Sequence, residues 1–536
     1  MTDFNITNLL FLSPFYFSLV FPFLVAFFVS NYLKSKTRKA KSLLPLPPGP
    51  KPWPLIGCIF QMVKNRPTFR WIHKIMNGMN TEIACINIAG IHLITVTSPE
   101  LSCEFLKNQD SIFSSRPICL SGELISNNYL TTALAPIGDH YHKMKRILTS
   151  KVLSSKRHKW LQLKRDEEAD HLVRYIYNQC KDSDNQLGCL VNVRTAARHY
   201  CGNVIRKMIF GKRFFGEGLE NGGPGFEEIE HVNALFTVLG YLYAFGVSDY
   251  IPWLKILDIG GHGKILREGI QSIRKYQDKE IDERIQIWKK GFKTEEEDLL
   301  DVLIMLKDEN GNAMLTSEEI KAQIIELMLA TVDNPSNAVE WALAEMLNQP
   351  KTLEKAMQEL DMVVGKDRLV QESDIPHLNY IKSCAKESFR LHPIAPFNVP
   401  HVSIKDTNVA DYFIPKGSHV LISRPGLGRN PRIWDDPLKF KPERHLKNNG
   451  SQVVLTDHHL RMLTFSTGGR GCPGIVLGST ITTMLLSRIL QGFTWNIPAD
   501  FSKIDLTESE CDVFLAKSLV AMAKPRLAEN LYPAYY

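Results

Sequence analysis

Cys472 lies in the stretch Phe465-Ser-Thr-Gly-Gly-Arg-Gly-Cys-Pro-Gly474, and a proline-free apolar run from Ile475 to Leu490 follows it. That order reads as a glycine-rich loop feeding a helix. A sulfur at a helix N-terminus meets unpaired N–H groups and the positive end of the dipole, which favour thiolate over thiol. With Arg470 two residues away, such a thiolate suits an axial iron ligand, the cation answering carboxylates on the iron's macrocycle. Gly468 and Gly474 would let a flat ring approach the backbone. The ordinary alternative for a lone cysteine is a buried structural thiol.

Two further groups have spacing that could carry chemistry. Thr316-Ser-Glu-Glu319 is a capping box, opening a helix that can run to about Leu347 before Gln349-Pro350. Within it lies Ala330-Thr-Val-Asp-Asn-Pro-Ser-Asn337. Pro335 has no N–H for the Thr331 carbonyl, so the ladder should open beside Asp333 and Asn334. The cost is about 3 kcal/mol, and the gap is a polar notch able to hold water or dioxygen. A plain packing kink is the alternative. Glu387 and Arg390 sit at i and i+3 on one helix face. Arg444 follows in the proline-bounded Pro442-Glu-Arg444.

Phe-x-x-Gly-x-Arg-x-Cys-x-Gly has five fixed positions and arises by chance in a chain this long roughly once in ten thousand. The loop resembles that of the cytochrome P450 superfamily, and Glu387, Arg390 and Arg444 match its Glu–Arg–Arg cluster. The resemblance covers about residue 46 to the end. It implies a mainly α fold with small antiparallel β-sheets and one haem b, with Cys472 as the fifth iron ligand. Phe465 and Gly474 would line the cofactor, and Glu387, Arg390 and Arg444 would lock the loop to the core. Arg470 would meet a haem carboxylate, and His401 would make a weaker, protonation-dependent contact. Tyr141 stands where members hold Trp, and Lys145 where they hold Arg. Lys145 or the adjacent Arg146 would therefore be a further cation for the cofactor, without arginine's bidentate fork in the Lys145 case.

Most of the superfamily places an acid–Thr pair in the central helix; here Asp333 is followed by Asn334-Pro335. With His392-Pro-Ile-Ala-Pro-Phe-Asn-Val-Pro-His401 and Asn203-Val-Ile-Arg-Lys-Met-Ile-Phe-Gly-Lys-Arg213, this is similar to the plant amino-acid N-hydroxylating, aldoxime-forming branch. That branch often has a basic residue at Gly469 and Ala at Gly474, two departures. The resemblance implies two N-hydroxylations of an α-amino acid, then loss of water and carbon dioxide. Asp333 and Asn334 would be catalytic, and Phe397, Asn398 and Phe514 are pocket candidates. Phenylalanine or a branched aliphatic acid is the expected substrate. The Phe113-Ser-Ser-Arg-Pro117 segment offers Arg116 for the substrate carboxylate, though a structural role suits it better. The rival within the fold is C-hydroxylation or epoxidation of a small lipophilic metabolite; a membrane-anchored scaffold without chemistry is the other.

These residues must be positioned by a large chain. It has 536 residues, 64 basic and 57 acidic, giving +7. That balance is too mild to suggest nucleic acid. Ten scattered cysteines without a Cys-x-x-Cys pair argue against zinc sites and a disulfide framework, and fit a reducing compartment. Leu9–Val29 is almost wholly apolar and spans about 31 Å as a helix, with Lys34, Lys36, Arg38, Lys39 and Lys41 behind it. The positive-inside rule then puts the bulk of the chain in the cytosol, single-pass on the endoplasmic reticulum by the resemblance. The expected organisation is an anchor at 1–42, a proline-rich hinge at 43–57 and a catalytic domain at 58–536. Its electrons would come from NADPH through cytochrome P450 reductase. Strands are expected near Ile83–Ile88 and His92–Thr97. His401–Ile404, Tyr412–Ile414 and His419–Ser423 should form a small antiparallel sheet.

Overall fold

The computed structural model describes residues 44–181, 188–213, 215–446 and 450–533. The expected anchor at 1–42 lies outside them. Helices dominate, and they are arranged around one that is buried along most of its length, Ser317–Leu347, here the central helix. The capping box forms: Glu319 N–H donates to Thr316 Oγ1 at 3.2 Å, and Thr316 N–H to Glu319 Oε2 at 2.7 Å. Two of the four orphan donors of the first turn are thus satisfied. Pro335 does not break the helix. On either side of its missing N–H, side chains reach back to carbonyls: Asn334 Nδ2 to Ala330 at 3.0 Å, and Ser336 Oγ to Val332 at 2.7 Å. Trp341 is fully buried, stacked on His392 with ring centres 3.7 Å apart.

Against the central helix pack Val193–Phe210, capped by Asn192 and stopped by Gly211 at φ +70°, and the apolar Ile475–Gly492. Among the described residues only Ile475–Gly492 is long and apolar enough to cross a membrane. Its most apolar stretch is 78% buried inside the protein, so it serves as a core helix.

Four strands, β1 (Ile83–Ile88), β2 (Ile91–Val96), β4 (His401–Val402) and β7 (His419–Ile422), form one sheet in the order β1-β2-β7-β4. β3 (Cys189–Asn192), β8 (Phe493–Asn496) and β9 (Val520–Pro525) form a second. The small sheet expected at 401–423 is therefore divided. β7 pairs in parallel with β2, Leu93 opposite His419, and β4 joins its other edge. β6 (Tyr412–Ile414) instead forms a hairpin with β5 (Thr407–Val409) across Ala410-Asp411. The parallel pairing joins residues over 300 apart and has no local sequence signal. The proline segment is seated on β1 and on the β5–β6 hairpin, with the Pro48 carbonyl accepting from Cys85 N–H at 2.8 Å and Pro45 from Phe413 N–H at 2.8 Å.

Candidate active site

The chain reaches Cys472 through Ser466 (φ +56°) and Gly468 (φ +69°). A Cβ at Gly468 would sit 2.3 Å from the Leu106 carbonyl oxygen, so glycine is required there. Cys472 N–H donates to the Phe465 carbonyl at 2.8 Å, and Gly474 N–H points at Cys472 Sγ at 3.3 Å. The Phe465 ring lies over Gly478, where a Cβ would come to 3.3 Å. At Gly474 a Cβ would approach nothing closer than 3.7 Å, so the protein side of the loop accepts alanine there.

The helix-end argument for a thiolate is overruled. The helix begins at Ile475, after the cysteine, and burial pushes the Cys472 thiol up against the opposing pull of Gly474 N–H, Lys145 and Arg424. A thiolate here needs a metal cation at the sulfur.

The helix Asp139–Ile147 braces the loop. Tyr141 Oη donates to the Gly469 carbonyl, and Lys145 Nζ to the Gly471 carbonyl at 2.7 Å. Arg146 was read as an equal candidate, but it is exposed and only Lys145 reaches the loop. Successive residues are turned about 100° apart on a helix, so one of the two must face away. Arg470 is buried and donates to the carbonyls of Ser114, Thr132 and Ala135. Arg116 is likewise spent on Ala133, Val399 and Pro400, which makes it a strut and leaves the substrate carboxylate to another group. His401 Nδ1 donates to the Phe113 carbonyl at 2.9 Å. Its Nε2 is buried and unpartnered. Burial, then the charge of Arg116, hold the ring well below the ordinary histidine pKa, so it is neutral, and an anion at Nε2 would have to bring a proton.

On the central helix, Ala330 is exposed although most of its neighbours are buried, as expected where a helix borders an internal space. Asp333 Oδ1 and Asn337 Nδ2 are buried without partners. Burial raises the Asp333 carboxyl to about 7, with Arg198 and Arg424 pulling the other way. Asn334 spends its amide on the Ala330 carbonyl. Asn398 accepts from Ile422 N–H at 2.7 Å and leaves Nδ2 buried and free. Phe397 stacks on His73 at 5.3 Å within the packing around β1 and β2. Phe514 meets Phe236 edge-on at 6.4 Å, and Arg198 lies 3.6 Å above that ring. Arg198 and Arg424 were not picked out by sequence reasoning. The only signal for Arg424 is an arginine placed between the apolar Val420-Leu-Ile422 and Pro425.

Away from this space, fully buried Glu387 accepts from Arg390 Nη2 and Nε at 2.8 Å and from Arg444 Nε at 3.0 Å. His445 Nε2 at 2.8 Å and Lys441 N–H at 2.8 Å complete the cluster. Burial alone would raise the Glu387 carboxyl, but the bonds to Arg390 and His445 bring it down to about 2.

A flat, iron-bearing group with acidic edges fits these residues. A soft donor, an open stretch of helix at Ala330 and unpartnered polar atoms at His401, Asp333 and Asn337 are what such a group would cover. The cytochrome P450 family model matches residues 47–522, and the chain belongs to that family. Its members are monooxygenases that bind haem b, typically drawing on NADPH and dioxygen through redox partners such as a reductase.

Within the family, the chain is 55% identical to isoleucine N-monooxygenase 1 from Lotus japonicus, over 96% of this chain and 95% of that one. It is 56% identical to valine N-monooxygenase 1 from Manihot esculenta, over 96% and 94%. A tryptophan N-monooxygenase from Prunus mume is 54% identical, over 96% of each.

Proposed function

We propose that the protein converts an L-amino acid to its aldoxime by two N-hydroxylations, dehydration and decarboxylation, on the cytosolic face of the endoplasmic reticulum. What carries the reading is a buried, unpartnered Asp333 followed by Asn334-Pro335, in a chain similar along nearly its whole length to enzymes named for amino-acid N-oxygenation. Haem b, when bound, supplies oxygen activation, and a thiolate ligand favours O–O cleavage.

The rest is work for the protein's own groups. Cys472 would hold the iron. Lys145 and Arg470 would set the positive charge around the cofactor's edge, neutral His401 would offer Nε2 to a protonated acid there, and Phe465 and the backbone at Gly474 would line it. Glu387, Arg390 and Arg444 keep the loop fixed to the core. Asp333, with a carboxyl near neutrality in a dry setting, is matched to hold the substrate's ammonium and take its proton, leaving the amine uncharged for attack. Asn334 contributes through the backbone it ties, Asn398 lines the pocket with its free amide, and Phe397 and Phe514 shape its side-chain end. Phenylalanine or a branched aliphatic amino acid is the substrate we favour.

The test is to incubate membranes containing the protein and a P450 reductase with NADPH and each proteinogenic amino acid in turn, assaying for oximes. Oxime from one or a few acids is expected. Turnover of terpenes or phenolics alone would overturn the proposal. Cys472→Ser should abolish both the thiolate-type reduced carbon-monoxide band and turnover.

A further inference from the structure

Arg424 is a buried cation that, among the described residues, has no hydrogen-bonded or ion-paired acid. It opens the short helix Arg424–Gly428, one residue after β7, and its backbone N–H donates to the Pro396 carbonyl at 3.0 Å, which fixes it against the segment holding Phe397 and Asn398. Asn398 N–H pairs with the Ile422 carbonyl at 3.2 Å, on the other side of the antiparallel bridge between Phe397 and Ser423. The guanidinium Nε is closed to solvent and has no hydrogen-bond partner. The side chain nevertheless keeps some open surface while being packed about by protein, as a group does when it lines an internal space. A guanidinium placed so is costly unless an anion arrives.

The neighbours narrow the anion's position. The charges acting on Arg424 are Asp333 of the central helix and Cys472 of the loop, so it borders the space between them. Asp333 is the second buried group there with an unpartnered polar atom, and among the described residues it forms no ion pair with Arg424 within 4.0 Å. An acid and a base that face one space without touching are complementary to a zwitterion. Of the other cations nearby, Arg470 is used on three carbonyls, Arg116 on three more and Lys145 on Gly471, while Arg198, which also acts on Asp333, stacks on Phe236 and is answered by Glu340 and Asp512. Arg470 and Arg116 also act on His401, a grouping that does not include Arg424.

We infer that Arg424 receives the α-carboxylate of the amino-acid substrate, with the free Asn398 amide as a second donor, while Asp333 takes the ammonium. The inference rests on the amino-acid reading above and adds the group that distinguishes an amino acid from the corresponding amine. A fork-shaped guanidinium can hold a carboxylate by two parallel bonds, and a lysine there cannot.

The experiment is spectral titration of the purified holoenzyme, wild type and Arg424→Gln, with isoleucine, valine, phenylalanine, tyrosine and tryptophan and with the amine of each lacking the carboxylate. Haem content is measured alongside by the reduced carbon-monoxide spectrum. Expected for Arg424→Gln is undiminished haem, a loss of about 10- to 100-fold in affinity for the preferred amino acid, and unchanged affinity for its amine. Arg424→Lys should recover only part of the loss. Haem lost in the variant would make Arg424 a cofactor cation and overturn the inference, as would equal weakening of acid and amine or no change in either. Should wild type bind none of the amino acids, the functional proposal itself fails, a result visible before any variant is made.

Discussion

The guanidinium of Arg470 lies over the ring of Tyr141, its central carbon 3.6 Å from the ring centre. The same tyrosine hydroxyl donates to the carbonyl of Gly469, the residue before Arg470. Loop and helix are therefore held by one stacked contact and one hydrogen bond. Tyr141→Phe keeps the stack and leaves a carbonyl without its donor, at about 1 kcal/mol. Tyr141→Ala removes the ring as well and should cost about 3 kcal/mol, a cavity plus the lost cation–π contact. Urea midpoints for loss of the reduced carbon-monoxide band should fall in that order. Equal midpoints would remove Tyr141 from the bracing of the loop.

Lys145 and Arg146 make a paired test of helix geometry. Lys145→Ala leaves the Gly471 carbonyl unpaired next to Cys472, and the cofactor should dissociate about tenfold faster. Arg146→Ala changes an exposed side chain and should lie within about 0.5 kcal/mol of wild type. Haem transfer to apomyoglobin reads both rates. Faster loss from the Arg146 variant than from the Lys145 variant would reverse the assignment.

The Glu387 cluster sets the acid limit. Its carboxyl is near 2 in the folded protein, against an ordinary value of 4.5. A depressed acid stabilises above its unfolded pKa, and the contribution is lost as pH falls from about 4.5 toward 2. At neutral pH it is on the order of 3 kcal/mol. Glu387→Gln should thus lower stability at pH 7 and lose little further on acidification to pH 4, where wild type begins to decline. Parallel pH curves for the two proteins would contradict this.

How much of this was legible beforehand follows the range of each interaction. The central helix was readable from Thr316 to Leu347, because a capping box and a following proline are local signals. The Cys472 loop was readable because its glycines are fixed by backbone angle and close approach, as at Gly468. Glu387 and Arg390 are one turn apart on a helix and were visible, whereas His445 was overlooked although it flanks Arg444. The sheet at 401–423 was misjudged because β2 and β7 meet across most of the chain. Arg198 and Arg424 gave little sign of function, since an arginine's type does not reveal whether folding leaves it an anion. Cys472 shows the limit in energetics: the Gly474 N–H acts on the sulfur in the expected direction, and burial outweighs it.

Asp333 gives the pH dependence of substrate recognition. Burial raises its carboxyl to about 7, so the folded protein holds a proton there below neutrality. An ammonium ligand binds the ionised form, and binding below pH 7 must release that proton. Affinity for the preferred amino acid should therefore rise about tenfold from pH 6 to pH 8, while the ligand's own ammonium stays charged. The sign for folding is opposite: an acid with a raised pKa costs stability as pH climbs from 3.8 to 7 and no more beyond. Asp333→Asn removes the titrating group, flattening the binding profile across this range, weakening the amino acid at pH 8, and making the protein more resistant to urea there. Spectral titrations and urea midpoints at pH 6, 7 and 8 report both effects. A variant whose binding still rises through neutrality would move the titration to another group and leave Asp333 as a packing residue.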